Sequence, residues 1–332
     1  MAGSGVSSQF GYVNESAYGT PVTVTKFLRQ TKAAFQRTAQ RVQSTGVQSG
    51  VLGPIGSGYV EATAAGAGSL EVDVQSRGFG LLFKNLMGAG SSAQQGGTAA
   101  YLQTFTLADP VGQFMTMQVG RPLRSGTVVP QTATGCKILS AEFSCAVGEI
   151  LKATFEIDAK AVDNTTALAA ASYLSAITFH SGLMAVKMGT YGSESAVSGV
   201  RGVSVKIDRP QDTEDYQTIN ATGGVGYKSE PIINDLTSIT GTVTSDWLAK
   251  ATFEDLANGM TSTSLVWEFI HPTAIAATHY PTFRIKLPGV YFDAGSQAVD
   301  GVKELTNDWG FTWRYDGTNM PSIEYMTPDT AI

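Results

Sequence analysis

The sequence predicts a mainly β protein of two tandem β-sandwich domains, each with a short flanking α-helix and a long projecting loop or arm. Two observations support this prediction. Alternating apolar and polar residues, as in 151–158 and 305–315, are typical of antiparallel strands with one face on a core and one in water. A similar order of patterns also occurs twice, about half a chain length apart, which favours an internal duplication.

The 332-residue length is ordinary for two domains. We predict an N-terminal arm over 1–25, a first β domain over 26–160, a connector over 161–180 and a second β domain over 181–332. The first 25 residues are polar and contain Gly and Ser, so we expect an extended arm that needs a partner for order. Residues 31–42 are expected to form a strand.

A serine precedes each expected helix and a glycine ends it. Ser76 and Ser245, 169 residues apart, are expected N-caps, because a hydroxyl can accept a free N–H of the first turn. Gly88 and Gly259 stand where a left-handed residue ends a helix. The apolar stripes predicted for the two helices are Phe79, Leu82, Phe83 and Leu86 in the first, and Ala249, Thr252, Phe253 and Leu256 in the second.

Two further matches continue in the same order. Residues 113–120 align with 282–289 at the same spacing, and 135–147 align with 301–313 at a spacing of 166. We therefore expect the last two segments to occupy equivalent positions in the two domains.

A long segment follows the first strand of each predicted domain. Residues 43–68, which are low in charge, and the similarly long 210–235 are expected to be loops or hairpin arms, and long loops in compact domains are often functional. Exposed apolar groups in such a segment usually bind a partner. The apolar residues of the first arm are Val47, Val51, Leu52, Ile55 and Tyr59.

Composition excludes several classes of protein. Only 15% of residues are charged, against about 25% in typical soluble domains, and the net charge of −6 disfavours a surface that grips nucleic acid. Cys136 and Cys145 are expected on opposite faces of one strand, so we expect no disulfide between them. The sequence predicts neither a signal peptide nor a membrane span.

We predict no catalytic, cofactor-binding or metal site. The three histidines lack the spacing of a zinc motif, and 53–58 lacks the spacing and setting of a phosphate-binding loop. Glu156 and Asp158 could act as a glycosidic acid–base pair, but a solvated acidic stripe explains them as well. Trp309 and Trp313 could form a carbohydrate platform if exposed, although their shared register favours core packing.

The N-terminal region contains Glu15, Tyr18, Gly19 and a Thr-Pro pair at 20–21, followed by a strand and a polar arm that ends at Gly50. In these features it resembles the tail tube proteins (major tail proteins) of long-tailed, siphovirus-type bacteriophages. In both halves, the order of β-run, serine, short helix, glycine and strand also fits that family. The chain resembles a version with a duplicated domain.

This resemblance implies a structural virion protein. In the family, one sheet of each domain joins its neighbours into an inner barrel, and stacked rings form a hollow tube around the tape-measure protein. The duplicated version implies trimeric rings. Expected partners are further copies of the chain, the tape-measure protein, and tail terminator and tail-tip proteins. The tube is expected to assemble in the bacterial cytoplasm and to conduct DNA into the host without specific binding.

Two groups of residues receive roles from this resemblance. The apolar residues of the first arm are expected to stack one ring on the next. An acidic wall would repel passing DNA and keep it moving, because DNA carries dense negative charge. The candidates for lumen-facing residues are Glu142, Glu156, Asp158, Glu304 and Asp308.

Two other classes of protein remain open at this point. One is a secreted or surface β-sandwich adhesin or lectin, which the missing signal peptide and disulfide disfavour. The other is a two-domain glycoside hydrolase, which would turn over glycans. Negative-stain microscopy separates the assembly subunit from both, because only that subunit would form rings or tubes.

Overall fold

The computed structural model describes residues 4–213, 224–293, 302 and 304–332. Strands are the main secondary structure of these residues, and nearly all strand pairs are antiparallel. The prediction of a mainly β fold is therefore confirmed. The predicted long segment 210–235 lies partly outside the described residues, since 214–223 belong to the gaps.

The described residues of the first half form ten strands and one α-helix. They are β1 (Gln9–Asn14), β2 (Lys26–Leu28), β3 (Gln30–Gln43), β4 (Tyr59–Asp73), α1 (Gly80–Met87), β5 (Gly88–Gln94), β6 (Tyr101–Leu107), β7 (Met115–Pro122), β8 (Val128–Ala146), β9 (Lys152–Ala159) and β10 (Ala161–Asp163).

The second half contributes the remaining elements among the described residues. They are β11 (Met184–Gly189), β12 (Ser195–Ala196), β13 (Val200–Asp208), β14 (Gly226–Tyr227), β15 (Ser238–Asp246), α2 (Glu254–Asn258), β16 (Thr263–Ile270), β17 (Thr282–Phe292), β18 (Thr306–Trp313) and β19 (Ser322–Thr327).

The same chain of strand pairings occurs in both halves. In the first half, β2 pairs with β1, β1 with β7, β7 with β8, β8 with β9, β9 with β4 and β4 with β3. In the second half, the corresponding order is β12, β11, β16, β17, β18, β15 and β13. Strand β8, like β17, is long and passes from one layer of the sandwich to the other. Strand β10, which follows β9, pairs with β8 as β19, which follows β18, pairs with β17, so these two strands also correspond. The β5–β6 hairpin has no counterpart among the described residues.

Two hydrogen bonds fix how the halves align. The Val74 N–H donates to the Leu151 carbonyl at 2.8 Å, and the Trp247 N–H donates to the Leu305 carbonyl at 2.8 Å. Val74 therefore corresponds to Trp247, a spacing of 173 rather than the predicted 169, and Leu151 corresponds to Leu305.

The predicted match of 135–147 with 301–313 is wrong. The first segment lies mainly in β8, which pairs with β9 and β13, whereas the second ends in β18, which pairs with β15 and β17. Strand β18 corresponds to β9 in these pairings. The match of 113–120 with 282–289 is also wrong, since β7 corresponds to β16. Both errors have the same cause. Neighbouring strands of one sheet show the same alternation of apolar and polar residues, so this pattern alone cannot distinguish one strand from the next.

The two halves share one hydrophobic core. Strand β13 pairs with β8 from Gly202–Ala146 to Asp208–Ser140, and β19 pairs with β6, so both layers cross from one half to the other. Phe83 of the buried helix α1 lies 5.5 Å, centroid to centroid, from Phe283 of the second half. The halves are therefore interlocked instead of forming two separate cores.

The predicted connector lies along the first half. Residues 161–180 begin with β10, which pairs with β8, and towards their end Thr178 and His180 pair with Gln75 and Ile150. The domain boundaries proposed from the sequence stay predictions.

The N-terminal segment is not wholly an arm. Phe10 and Tyr12 are fully buried, and β1 pairs with both β2 and β7. The Tyr12 hydroxyl donates to the carbonyl of Gly78. Burial of these two aromatic rings holds the segment in the outer layer, so residues 9–14 do not need a partner chain for order.

The predicted serine caps are wrong in both halves. Helix α1 begins only at Gly80, and the Ser76 hydroxyl instead accepts the N–H of Ile177 at 3.0 Å. Ser245 lies within β15, several residues before α2. The hydroxyl of Ser76 thus holds the connector against the first half instead of capping the helix.

The predicted helix ends are right for α1 and wrong for α2. Gly88 has φ 94°, a conformation in which a Cβ would be strained. Gly259 has φ −82°, and the following Met260, with φ 47°, adopts the left-handed conformation. The left-handed residue that follows the second helix is therefore Met260, one position after the predicted Gly259.

Candidate assembly surfaces

One layer of the sandwich is a continuous seven-stranded sheet across both halves, in the order β3, β4, β9, β8, β13, β15 and β18. Its apolar side chains, such as Leu70, Phe155, Phe143 and Val205, pack into the core. We call its other side the polar sheet face. One row across this face, in strand order, is Lys32, Glu71, Thr154, Glu142, Lys206, Thr240 and Thr312.

Carboxylates outnumber cations on the polar sheet face. The carboxylates are Glu71, Asp73, Glu142, Glu156, Asp208, Asp246 and Asp308, and the cations on or beside the face are Lys32, Lys152, Arg201 and Lys206. The polar sheet face therefore carries a net negative charge, like the chain as a whole.

Two of the cations are paired with carboxylates of the same chain. Lys206 Nζ lies 3.1 Å from Asp208 Oδ1, and this hydrogen bond raises the pKa of the lysine. Arg201 contacts Asp246 Oδ1 at 2.5 Å and Glu304 Oε2 at 2.7 Å, and both contacts raise its pKa. These cations are less available to an anion in solution than their number suggests.

Four of the five predicted lumen-facing residues lie on or beside this face. Glu142 is exposed, Glu156 accepts the Ser140 hydroxyl at 3.0 Å, and Asp308 accepts the Thr244 hydroxyl at 2.5 Å. Glu304 is exposed next to Arg201. The structure thus brings these four carboxylates to one side of one sheet.

Asp158, the fifth predicted residue, differs from the other four because it is buried. Only 5% of its surface is exposed, because Lys228 forms an ion pair with it and covers it. Lys228 directly follows β14, which pairs with β4 at Thr63 and Ala64. Burial raises the pKa of Asp158, and the charge of Lys228 opposes that rise. Asp158 therefore belongs to a buried ion pair and not to the open face.

A second ion pair, between the buried Lys137 and the half-buried Glu230, holds the same segment. Lys137 Nζ lies 2.5 Å from Glu230 Oε1 and also donates to the carbonyl of Pro110 at 3.1 Å. Burial lowers the pKa of Lys137, and the contact with Glu230 opposes that effect. Sequence reasoning missed both pairs, because the partners are 70 and 93 residues apart along the chain. The only feature of the sequence that could have indicated these pairs is Lys137, a lysine within an apolar strand.

The predicted arm is a two-stranded hairpin. Strands β3 and β4 stay paired out to Gln43 and Tyr59, so 59–68 form a strand and the loop is limited to 44–58. Small residues of weak strand propensity obscured the β4 pattern in the sequence. We call 44–58 the tip loop.

The apolar residues of the tip loop and its base are largely uncovered. Val47, Val51, Leu52 and Tyr59 are exposed, and Ile55 is half-buried. Their proposed role in stacking stays a prediction.

The seven-stranded sheet has two open edges among the described residues. Among the described strands, β3 pairs with β4 alone. At the opposite end, β18 pairs with β15 along its length, but with β17 only from Phe311 to Trp313. Open strand edges present unpaired N–H and C=O groups to other chains.

The described residues show few features of a metal, membrane-spanning or carbohydrate-binding site. They contain no group of three or more His, Cys, Asp or Glu side chains placed to hold a metal ion. No described helix has the length and apolar character needed to cross a membrane. Trp309 and Trp313 are buried in the core, which argues against a carbohydrate platform.

A polar sheet face, an edge of β3 that no described strand covers and an exposed apolar hairpin tip are typical of a structural subunit that assembles with further copies. The sequence model for phage tail tube proteins matches residues 5–312, so the chain belongs to the phage tail tube protein family and is a structural component of the virion. A comparison with curated proteins gave no significant match.

Proposed function

We propose that this chain forms the tail tube of a siphovirus-type phage as stacked rings of three copies. The observation that supports this most is the recurrence of one order of strand pairings in both halves of the chain. Each chain would supply two units of similar topology, so three chains would give a ring of pseudo-sixfold symmetry. A closed ring needs one head-to-tail interface repeated about an axis.

The polar sheet face is proposed to line the lumen. Its excess of carboxylates would repel the phosphates of DNA, and its lysine and arginine side chains are partly engaged by Asp208 and Asp246. DNA would therefore pass into the host without adhering to the wall. Before ejection, the same lumen would hold the tape-measure protein.

The tip loop is proposed to contact the next ring. Val47 and Leu52 are exposed at the end of a hairpin that extends beyond the core, and such groups gain stability when a partner covers them. Assembly would take place in the host cytoplasm, and tail terminator and tail-tip proteins would bind the two ends of the tube.

Negative-stain electron microscopy of the purified chain tests this proposal. We expect hollow tubes or rings at high protein concentration and few monomers. A chain that stays monomeric at all concentrations, with or without an added tape-measure segment, would contradict the tube function.

A further inference from the structure

We propose that the two long arms of this chain have different roles, and that the described part of the second arm braces the β3–β4 hairpin that carries the tip loop. We call residues 224–234 of the second arm the strap. This inference rests on the proposed function, because it names what holds the tip loop in position for stacking.

The two arms are counterparts in the fold. The first connects β3 to β4, and the second connects β13 to β15, which have the same places in the order of strand pairings. The first arm continues its two strands as a hairpin out to Gln43 and Tyr59. The strap lies instead on the first half of the chain, where β14 pairs with β4.

The outer part of the hairpin extends beyond the rest of its sheet. Strand β9 pairs with β4 only as far as Ala159 opposite Gly66, whereas β4 begins at Tyr59. Residues 59–65 therefore project, and a strand of this length spans roughly 23 Å. An isolated two-stranded hairpin is only marginally stable in water, so this part needs further contacts to keep one direction.

The strap supplies such contacts at the base of the projecting part. Residues 226–227 pair in parallel with Thr63 and Ala64, just beyond the point where β9 ends. They lie on the β9 side of β4, because β3 occupies its other side. The Arg37 side chain of β3 also forms a hydrogen bond with Tyr227. The strap thus contacts both strands of the hairpin.

Two ion pairs fasten the strap to the first half directly after β14. Lys228 pairs with Asp158, and both side chains are almost fully buried. Glu230 pairs with the buried Lys137, and its Oε1 also accepts the N–H of Gly112 at 2.7 Å. The strap therefore has a fixed point next to the residues that contact the hairpin.

The far end of the strap is held by residues that follow β13. The Asp212 N–H donates to the carbonyl of Ile232 at 2.9 Å, and Gln211 pairs with Ile233. Gln211 Nε2 also donates to the carbonyl of Ile138 at 3.2 Å. Because both ends of the strap are anchored, it can resist bending of the hairpin at its base.

Hydrogen–deuterium exchange of the unassembled chain tests the brace. The variant Lys228→Ala/Asp158→Ala removes both members of the buried pair, so neither charge is left without its partner. The matched control Lys250→Ala/Asp255→Ala removes an exposed pair of the same residue types outside the strap and the hairpin. A second variant, Tyr227→Ala, removes an exposed side chain of the strap, so this variant is expected to fold.

We expect the amides of 38–43 and 59–65 to exchange at least about tenfold faster in the Lys228/Asp158 variant than in the control, while those of 141–146 in β8 stay protected. Tyr227→Ala should accelerate exchange of the same hairpin amides. Unchanged hairpin exchange in both variants, or an equal rise in β8 of a folded variant, would overturn the brace. If the double variant fails to fold, Tyr227→Ala decides alone, and unchanged hairpin exchange in it contradicts the inference.

Electron microscopy of the same variants tests the link to stacking. A hairpin freed at its base should give fewer and shorter tubes than the control. Long tubes from a variant with fast hairpin exchange would show that the brace is not needed for stacking. Absence of tubes and rings from the unaltered chain would overturn the proposed function itself, whereas hairpin exchange would still decide whether the strap braces the hairpin.

Discussion

Lys228 and Asp158 form an ion pair across the two halves of the chain, and both side chains are almost fully buried. Lys228 follows the short strand β14 of the second half, whereas Asp158 lies in β9 of the first. Together with Lys137 and Glu230, this pair fastens a segment of the second half onto the first.

The substitution Asp158→Asn is expected to destabilise the chain strongly. It leaves the buried ammonium of Lys228 without a counter-charge, and breaking a buried pair in this way costs about 3–5 kcal/mol. The matched control is Asp208→Asn, which breaks the solvent-exposed pair with Lys206 and should cost at most about 1 kcal/mol. Urea unfolding of the unassembled chain measures both, and equal losses would show that the buried pair has no special role.

Gly68→Ala and Gly241→Ala are each expected to cost about 1–3 kcal/mol, as overpacked cores do. A Cβ at Gly68 would lie 2.3 Å from the ring of Phe35, and one at Gly241 would lie 2.4 Å from the ring of Phe311. Gly53→Ala is the control, because nothing lies within 4 Å of its Cβ position. Thermal unfolding of the three variants checks the prediction, and a Gly68→Ala variant as stable as the control would contradict it.

The strands of the fold could be predicted from the sequence where alternation is strong. Phe143 and Cys145 of β8, and Phe155 and Ile157 of β9, alternate with polar residues and all face the core. The register of the repeat could not be predicted. The predicted spacing of 169 placed two serines with similar neighbours at equivalent positions. In the structure, equivalent positions are defined by the backbone hydrogen bonds between strands, and any residue type can form these bonds, so the sequence does not indicate them.

The candidate surfaces were predictable in part. Exposed carboxylates such as Glu142 follow from alternation, and the exposure of Leu52 follows from its position in a low-charge loop. The burial of Asp158 does not follow, because the segment that covers it lies 70 residues further on. The N-terminal strand was hidden for a similar reason, since Phe10 and Tyr12 pack against elements that are distant in the sequence.

Removing the tip loop is expected to prevent stacking without unfolding the chain. Replacing 44–58 by Asn-Gly joins the paired residues Gln43 and Tyr59 by the two-residue turn that hairpins prefer. Size-exclusion chromatography should show a folded, soluble protein, and electron microscopy should show no long tubes. The milder variant Val47→Ser/Leu52→Ser keeps the loop and should shorten the tubes. Long tubes from the Asn-Gly variant would contradict the stacking role.

Reversing charges on the polar sheet face is expected to make assembled tubes retain DNA. Glu142→Lys/Asp308→Lys adds cations where a lumen is proposed, and their binding to phosphates should weaken steeply as salt rises. The control Asp235→Lys/Asp255→Lys makes the same change in net charge at exposed residues that lie outside the seven strands of this sheet. Sedimentation of tubes with short duplex DNA measures retention. Equal retention by both variants would place the polar sheet face outside the lumen.

The mass of a single ring tests the central claim most directly, since the claim is that one chain supplies two of the six units around the tube. Native mass spectrometry of rings released from tubes, supported by the rotational symmetry of tube images, counts the chains. We predict three times the 34.9 kDa chain mass, with pseudo-sixfold symmetry that is only threefold at high resolution. Six chains per ring, with true sixfold symmetry, would contradict the account.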